Sequence, residues 1–230
     1  MSVAGLTSAV HAATNASKAV DLGAELAGAK STLLRTFRTL AGVVYRPDQA
    51  EVARRRGHGV GSFTEIEMLD ALMGLPIGLP VSWNELTNAA RALVDRAPSG
   101  AIERRGGQVV RRAVAPVSVL FAVVAANDWH AGLRRAGQFA PFCARAMLLP
   151  ALPADWEDAR TQASYFGIGV GMFVDGHLRM LVTPRPYVRK RHTPAQWWFA
   201  EEAYRQISEY GNGAKPARLA KAREEALPKL

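Results

Sequence analysis

Residues 166–183, FGIGVGMFVDGHLRMLVT, hold the strongest short-range signal in the chain. Two apolar runs, Phe166 to Val174 and His177 to Thr183, flank Asp175-Gly176, a dipeptide suited to the positive φ values of a two-residue hairpin turn. The pattern predicts a β-hairpin. In its first strand Gly167, Gly169 and Gly171 alternate with Ile168, Val170 and Met172, so one face is bare backbone and the other apolar. A bare face admits a helix, another strand or a base, and packing against a helix is the commonest use. With Arg179 on the second strand and Arg185 to Arg191 beyond it, the hairpin resembles a winged element in outline.

Working outward, Thr193 is a good N-cap, Pro194 suits the first helical position and Gln196 has capping-box spacing. A helix from Pro194 to about Tyr210 places Trp197, Ala200, Tyr204 and Ile207 on one face. Upstream, Asp155 to Tyr165 reads as a short helix, and Asp128 to Leu149 as a helix interrupted at Pro141. Gln108 to Val114 and Val117 to Val124 are each strand candidates, and the second equally suits a buried helix. Ser62 with Glu65 and Ser82 with Glu85 have capping-box spacing before apolar positions, so helices are expected from about 63 and 83. Arg104-Arg105-Gly106-Gly107 reads as a turn. At the start, Val20, Leu26, Leu33, Leu34, Phe37, Leu40 and Val44 recur at steps near three, four and seven, which predicts one long or two broken amphipathic helices up to Tyr45.

The expected architecture is therefore α+β, mainly helical with a C-terminal β-hairpin near 166–183. Residues 1–45 form an extended helical N-terminus, 46–211 a single compact core and 212–230 a charged tail.

Composition bounds the function. The 230 residues are 49% hydrophobic and 21% charged, enough for a substantial core without disulfides or metals. The single cysteine, Cys143, forms no internal disulfide, and no Cys-x-x-Cys pair exists for zinc or redox chemistry. This usage suits a reducing compartment, and a cytoplasmic location is expected. His11, Asn15 and Lys18 interrupt any signal-peptide core. The most apolar window, Val109 to Val124, contains Arg111 and Arg112 and falls short of the ~20 residues of a membrane span. A formal charge of +9 and a pI near 10.2 point to a polyanionic partner.

The cations are clustered. Arg54, Arg55 and Arg56 with His58; Arg104 with Arg105; Arg111 with Arg112; Arg134 with Arg135; Arg179; and Arg189, Lys190 and Arg191 are the candidate phosphate-binding residues. Several adjoin glycine, which permits close backbone approach, and arginine offers a planar donor fork to phosphate. Arg54 to Ser62 is the sharpest local candidate, a basic glycine loop read as leading into a helix N-terminus. It has neither the lysine nor the spacing of a nucleotide-binding P-loop. Trp198, beside a basic run and about 100° around the helix from Trp197, is a candidate base-stacking residue.

Asp128 with His130 and Asp175 with His177 are isolated pairs that lack the third group most mechanisms need. No cofactor or metal site is expected. The leading expectation is a non-enzymatic nucleic-acid-binding protein, DNA or RNA unresolved, gripping the backbone through arginines within a larger nucleoprotein assembly. The N-terminal helical region would serve protein partners. The alternatives are an assembly protein for an acidic partner, and a metal-dependent nuclease using Asp175, His177 or Glu201.

Overall fold

Residues 30–47 pair as two strands, where the spacing of Leu33, Leu34, Phe37, Leu40 and Val44 predicts a helix. The computed structural model describes residues 29–98, 100–174 and 177–211. The earlier part of the predicted helical N-terminus, with Val20 and Leu26, and the charged tail both lie outside the described residues. Strand β1 (Lys30–Thr36) turns directly into β2 (Thr39–Pro47), with Thr36 opposite Thr39. Phe37 and Arg38 form the turn in the left-handed region, at φ 51° and 56°. Neither is glycine or asparagine, so the turn leaves no trace in composition. It is held because the Phe37 ring stacks on Phe142 and Phe199 and meets Phe139 edge-on, with centroids 5.5–5.9 Å away. Thr32, Thr36, Thr39, Val43 and Val44 also favour the strands, since β-branched side chains fit a pleated surface better than a helix.

From β2 the chain leaves the main sheet through α1 (Gln49–Gly57), α2 (Ile66–Met73), β3 (Pro80–Ser82), a 3-10 turn (Trp83–Glu85), α3 (Asn88–Asp95), β4 (Ile102–Arg105) and β5 (Gln108–Arg111). It returns as β6 (Val117–Ala125), antiparallel to β2. Then follow α4 (Trp129–Gly137), β7 (Ala144–Leu149), α5 (Trp156–Phe166), β8 (Gly169–Val174), β9 (His177–Val182) and α6 (Pro194–Gly211). The main sheet has the order β1-β2-β6-β7-β8-β9, and β6, β7 and β8 are parallel. Residues 49–111 are thus inserted between two neighbouring strands.

The fold is α+β, but the expectation of a mainly helical chain is corrected: the described residues form a six-stranded mixed sheet and a three-stranded sheet, order β3-β5-β4, with six α-helices around them. Two misreadings account for most of the difference. The first is the β1–β2 hairpin. The second is Ala144 to Leu149, read as the tail of a helix but forming β7, almost fully buried as a central parallel strand is. Val117 to Val124 resolves as strand for the same reason.

One face of the main sheet carries the larger core. Trp129 and Ala136 of α4, Ala159 and Ala163 of α5, and Phe199, Ala200 and Ala203 of α6 pack there on Val43, Val124, Met147 and Val170. Helix α6 also sends Trp197 into a second core, with Phe63, Leu69, Leu72 and Ala113 of the inserted segment. One helix therefore belongs to both cores. The bare glycines of β8 meet side chains of this chain: Pro184 Cδ and Met180 Cε lie 2.9 and 3.1 Å from where a Cβ at Gly169 would stand.

Candidate nucleic-acid interface

The inserted segment has an order of elements that matters more than its composition. Helix α2 is followed by β3, the 3-10 turn, α3, then β4 and β5 closing through Gly106-Gly107. The three strands pair as β3-β5-β4. Helix, strand, helix, strand, wing, strand is the connection order of a winged helix, and the resemblance is one of topology alone. Both turn glycines have positive φ, 52° and 78°, the two-residue geometry whose twist matches the flanking strands. The winged outline read in residues 166–183 belongs instead to the main sheet, where that hairpin supplies β8 and β9.

Helix α3 starts at Thr87, whose Oγ1 accepts from the Ala90 amide at 3.2 Å. The expected capping boxes at Ser62 and Ser82 do not form: neither serine makes a side-chain cap, and α2 and α3 begin later than predicted. Val94 of α3 is buried with Leu75 and Val109, while Asn88, Ala89, Ala92 and Asp95 lie on the exposed side. Arg104, at the wing, packs its guanidinium 4.8 Å over the Trp83 ring and pairs with Asp95 at 2.6 Å. Arg105 and Arg112 both pair with Glu103, and Arg96 with Glu65. Residues 62–115 hold six arginines and six acids, so the inserted unit is charge-balanced.

Two of the predicted phosphate-binding arginines, Arg55 and Arg111, are interior residues, and a third, Arg54, is partly buried. Arg55 is fully buried; its Nη1 and Nη2 donate to the two Glu201 carboxylate oxygens at 2.7 Å, and its Nε donates to Glu51 at 2.7 Å. The Gly61 and Val114 carbonyls accept its remaining protons. Burial alone would push the Arg55 pKa down, but the hydrogen bonds and charges of Glu201 and Glu51 outweigh it and hold it above the ordinary value. Arg54 is turned inward to Glu51 and the Gly100 carbonyl. Arg111 is 9% exposed, donates to the Leu72, Leu75 and Ala113 carbonyls, and stacks 4.4 Å over Trp197. Arg55, with its donor nitrogens all taken by buried acceptors, has none for a phosphate, whereas Arg111 uses Nε and Nη1 on carbonyls and its side chain also lines a cavity between the inserted unit and the main sheet.

The glycine loop is likewise reassigned. Arg54 to Arg56 form the last turn of α1, where cations favour the negative end of the helix dipole. The His58 amide lies 3.2 Å from both the Arg54 and Arg55 carbonyls, and the Val60 amide donates to Arg55 at 2.8 Å. Those amides close a helix C-terminus and do not cradle an anion. Arg56 and His58 remain exposed. Trp198 is half-buried, packs against both cores and lies 6.2 Å from the Phe37 ring, so it is not a free stacking platform.

What gathers is β9 together with the extended segment after it. Residues 177–193 contain five Arg or Lys and no acid. Arg179, Arg185, Arg189, Lys190 and Arg191 are exposed. Arg185 lies against Gly167, its amide donating to the Gly167 carbonyl at 3.1 Å. Beside it stands Arg145, half-buried, whose pKa is lowered first by burial and further by Arg185. Arg145 Nη2 donates to the Phe166 carbonyl at 2.7 Å, and its buried Nε has no partner among the described residues. Sequence reasoning missed both: Arg145 falls in the stretch read as the tail of a helix, and Arg185 precedes the basic run Arg189 to Arg191 that it singles out. Tyr187 anchors the segment by donating to the Pro141 carbonyl at 2.7 Å. Arg189 and His192 then reach a cavity that Ile77 of the inserted unit also lines. Arg134 and Arg135 are exposed on α4; Arg135 donates to the Ala125 carbonyl, at the opposite end of β6 from this cavity, ~26 Å along the strand.

Among the described residues no group of three His, Cys, Asp or Glu could hold a metal. Of the residues considered for a nuclease, Asp175 lies outside the described residues. Glu201 accepts from Arg55, the Phe63 amide and Trp197 Nε1. No helix among the described residues is long and apolar enough to cross a membrane. Comparison of the chain with protein-family models, with curated proteins and with solved structures finds no match in any of the three.

Proposed function

We propose that this protein binds nucleic acid, and specifically duplex DNA, with α3 presented to the major groove and the acid-free segment after β9 lying along the backbone. The observation that carries the reading is the connection order and strand pairing of residues 66–111, with one face of α3 left exposed beside a two-glycine wing. A helix of this diameter fits the major groove, where Asn88 could read an adenine edge through two hydrogen bonds. Because the inserted unit is charge-balanced, its own field attracts DNA weakly. The exposed cations of residues 179–191 supply that attraction, which divides the work between positioning on phosphates and reading by α3.

The test is a fluorescence-anisotropy titration of the full chain against labelled duplex DNA, single-stranded DNA and single-stranded RNA at two salt concentrations. Tighter binding to the duplex, weakening steeply with salt, supports the proposal. A clear preference for single-stranded RNA would remove α3 from the mechanism while keeping the basic segment, and no binding at low salt would reject both.

A further inference from the structure

Between the inserted unit and the main sheet lies a cavity of about 400 Å³. Its walls come from several places. Met73 ends α2 and Ile77 follows it, Arg111 ends β5, Val117 and Val119 open β6, and Phe142 precedes β7. Apart from Arg111, those side chains are apolar. Across it stand Arg189 and His192, both exposed at the rim, with the first turn of α6 behind them. No aspartate or glutamate among the described residues lines the cavity. A space lined by Arg111, Arg189 and His192 together with apolar side chains, and by no acid, selects an anion with an apolar body. Its size is within the range of ligand pockets, roughly 300–1,000 Å³.

A second feature narrows the ligand. Gln196, which lines the cavity, donates through Nε2 to the Pro141 carbonyl at 3.0 Å and the Tyr187 hydroxyl at 2.7 Å. Those two bonds fix which end of the amide is nitrogen. Its Oε1 is buried and accepts from nothing among the described residues. A buried acceptor without a donor is costly, and a ligand N–H or O–H would relieve it.

We infer that this cavity binds a small carboxylic acid with an apolar chain and one hydroxyl or amide donor. The carboxylate faces Arg189 and His192, the donor meets Gln196 Oε1, and the chain lies against Ile77, Val119 and Phe142. The proposal does not depend on nucleic-acid binding, because its test contains none.

The probes are 3-hydroxyoctanoate, octanoate and octylammonium, titrated into the full chain with tryptophan fluorescence as the readout. Trp197 lines the cavity and reports occupancy directly. The expected result is saturable quenching or shift with both acids, tightest for the hydroxy acid, and at least tenfold weaker binding of the cation. Arg189→Glu and His192→Glu alter exposed rim positions without touching either core, and each should weaken the hydroxy acid by about tenfold or more. Ser118→Trp narrows the cavity from an exposed position and should abolish the signal. No saturable change with either acid, equal binding of octylammonium, or full affinity in Arg189→Glu would each overturn the proposal.

Discussion

Replacing Arg55 by methionine should cost about 3–5 kcal/mol of stability, the penalty for leaving one partner of a buried ion pair uncompensated. The figure follows from what remains. Glu201 would be wholly buried, with only the Phe63 amide at 3.0 Å and Trp197 Nε1 at 2.8 Å to solvate its charge. Glu51 would keep Arg54. Against a typical total of about 5–15 kcal/mol, the loss is roughly a fifth or more of what holds the fold. Glu201→Gln keeps one acceptor oxygen where the carboxylate has two, so it retains a partner for only one of the Phe63 and Trp197 donors, while Arg55 keeps Glu51. The double variant Arg55→Met/Glu201→Leu removes both charges but orphans the Phe63 and Trp197 donors, at ~1–3 kcal/mol each. It should cost ~2–6 kcal/mol, less than the sum of Arg55→Met and Glu201→Leu, so the double-mutant cycle should show a coupling of at least ~2 kcal/mol. Urea unfolding at pH 7, followed by far-UV circular dichroism and tryptophan fluorescence, measures wild type, the three single variants and the double variant. A loss below ~1 kcal/mol for Arg55→Met, as for a surface arginine, would refute the assignment of Arg55 as an interior pin. Whatever fraction of Arg55→Met is folded should bind DNA with unchanged affinity, since the side chain reaches no surface.

Replacing Arg189, Lys190 and Arg191 together by alanine should reduce the slope of log affinity against log salt by ~0.9 for each phosphate left without its cation, measured by anisotropy across a salt series. Arg38→Gly should raise stability by ~0.5–1 kcal/mol, because relief of left-handed strain of ~1–2 kcal/mol exceeds the added backbone entropy, whereas Phe37→Gly should lower it by several kcal/mol through loss of the packed ring; denaturant midpoints distinguish them. Burial raises the Cys143 thiol pKa far above its usual value, so iodoacetamide at pH 8 should leave the native protein unlabelled and modify it at the rate of global unfolding, read by intact mass. Burial would raise the Glu51 carboxyl pKa, but the hydrogen bonds and charges of Arg54 and Arg55 outweigh it and hold it below the usual 4.5. Its folded pKa is therefore below its unfolded one, and its stabilising contribution is complete above pH ~4.5 and lost as pH falls through the folded value. Wild type and Glu51→Gln should accordingly converge in stability on acidification, which unfolding midpoints from pH 7 to pH 3 would check.

Local chemistry was legible in part. Thr193 caps α6 through a 3.2 Å bond from the Gln196 amide as read, whereas Ser62 and Ser82 make no cap, and Asp128, which caps α4 at 2.8 Å, reads only as the start of a helix. The strand pair around 175–176, the Gly106-Gly107 turn and the burial of Trp197 follow from the same kind of signal. The density of arginine was plain as well. Its distribution between interior and surface was not, because Arg55 and Arg189 look alike in a basic run. They differ only in having, or lacking, a distant acid: Glu201 comes to Arg55 from the far end of the chain. Leu33, Phe37, Leu40 and Val44 show the same limit in the backbone, since their spacing suits a helix and only the aromatic cluster of Phe139, Phe142 and Phe199 holds Phe37-Arg38 in a hairpin turn. The sequence by itself determined the Thr193 cap, the glycine turns and net charge, which depend on residues a few positions apart. The tertiary structure alone decided which cations face solvent, how β2 finds β6 across the inserted unit, and where that unit's α3 is exposed, because each depends on packing between residues far apart along the chain.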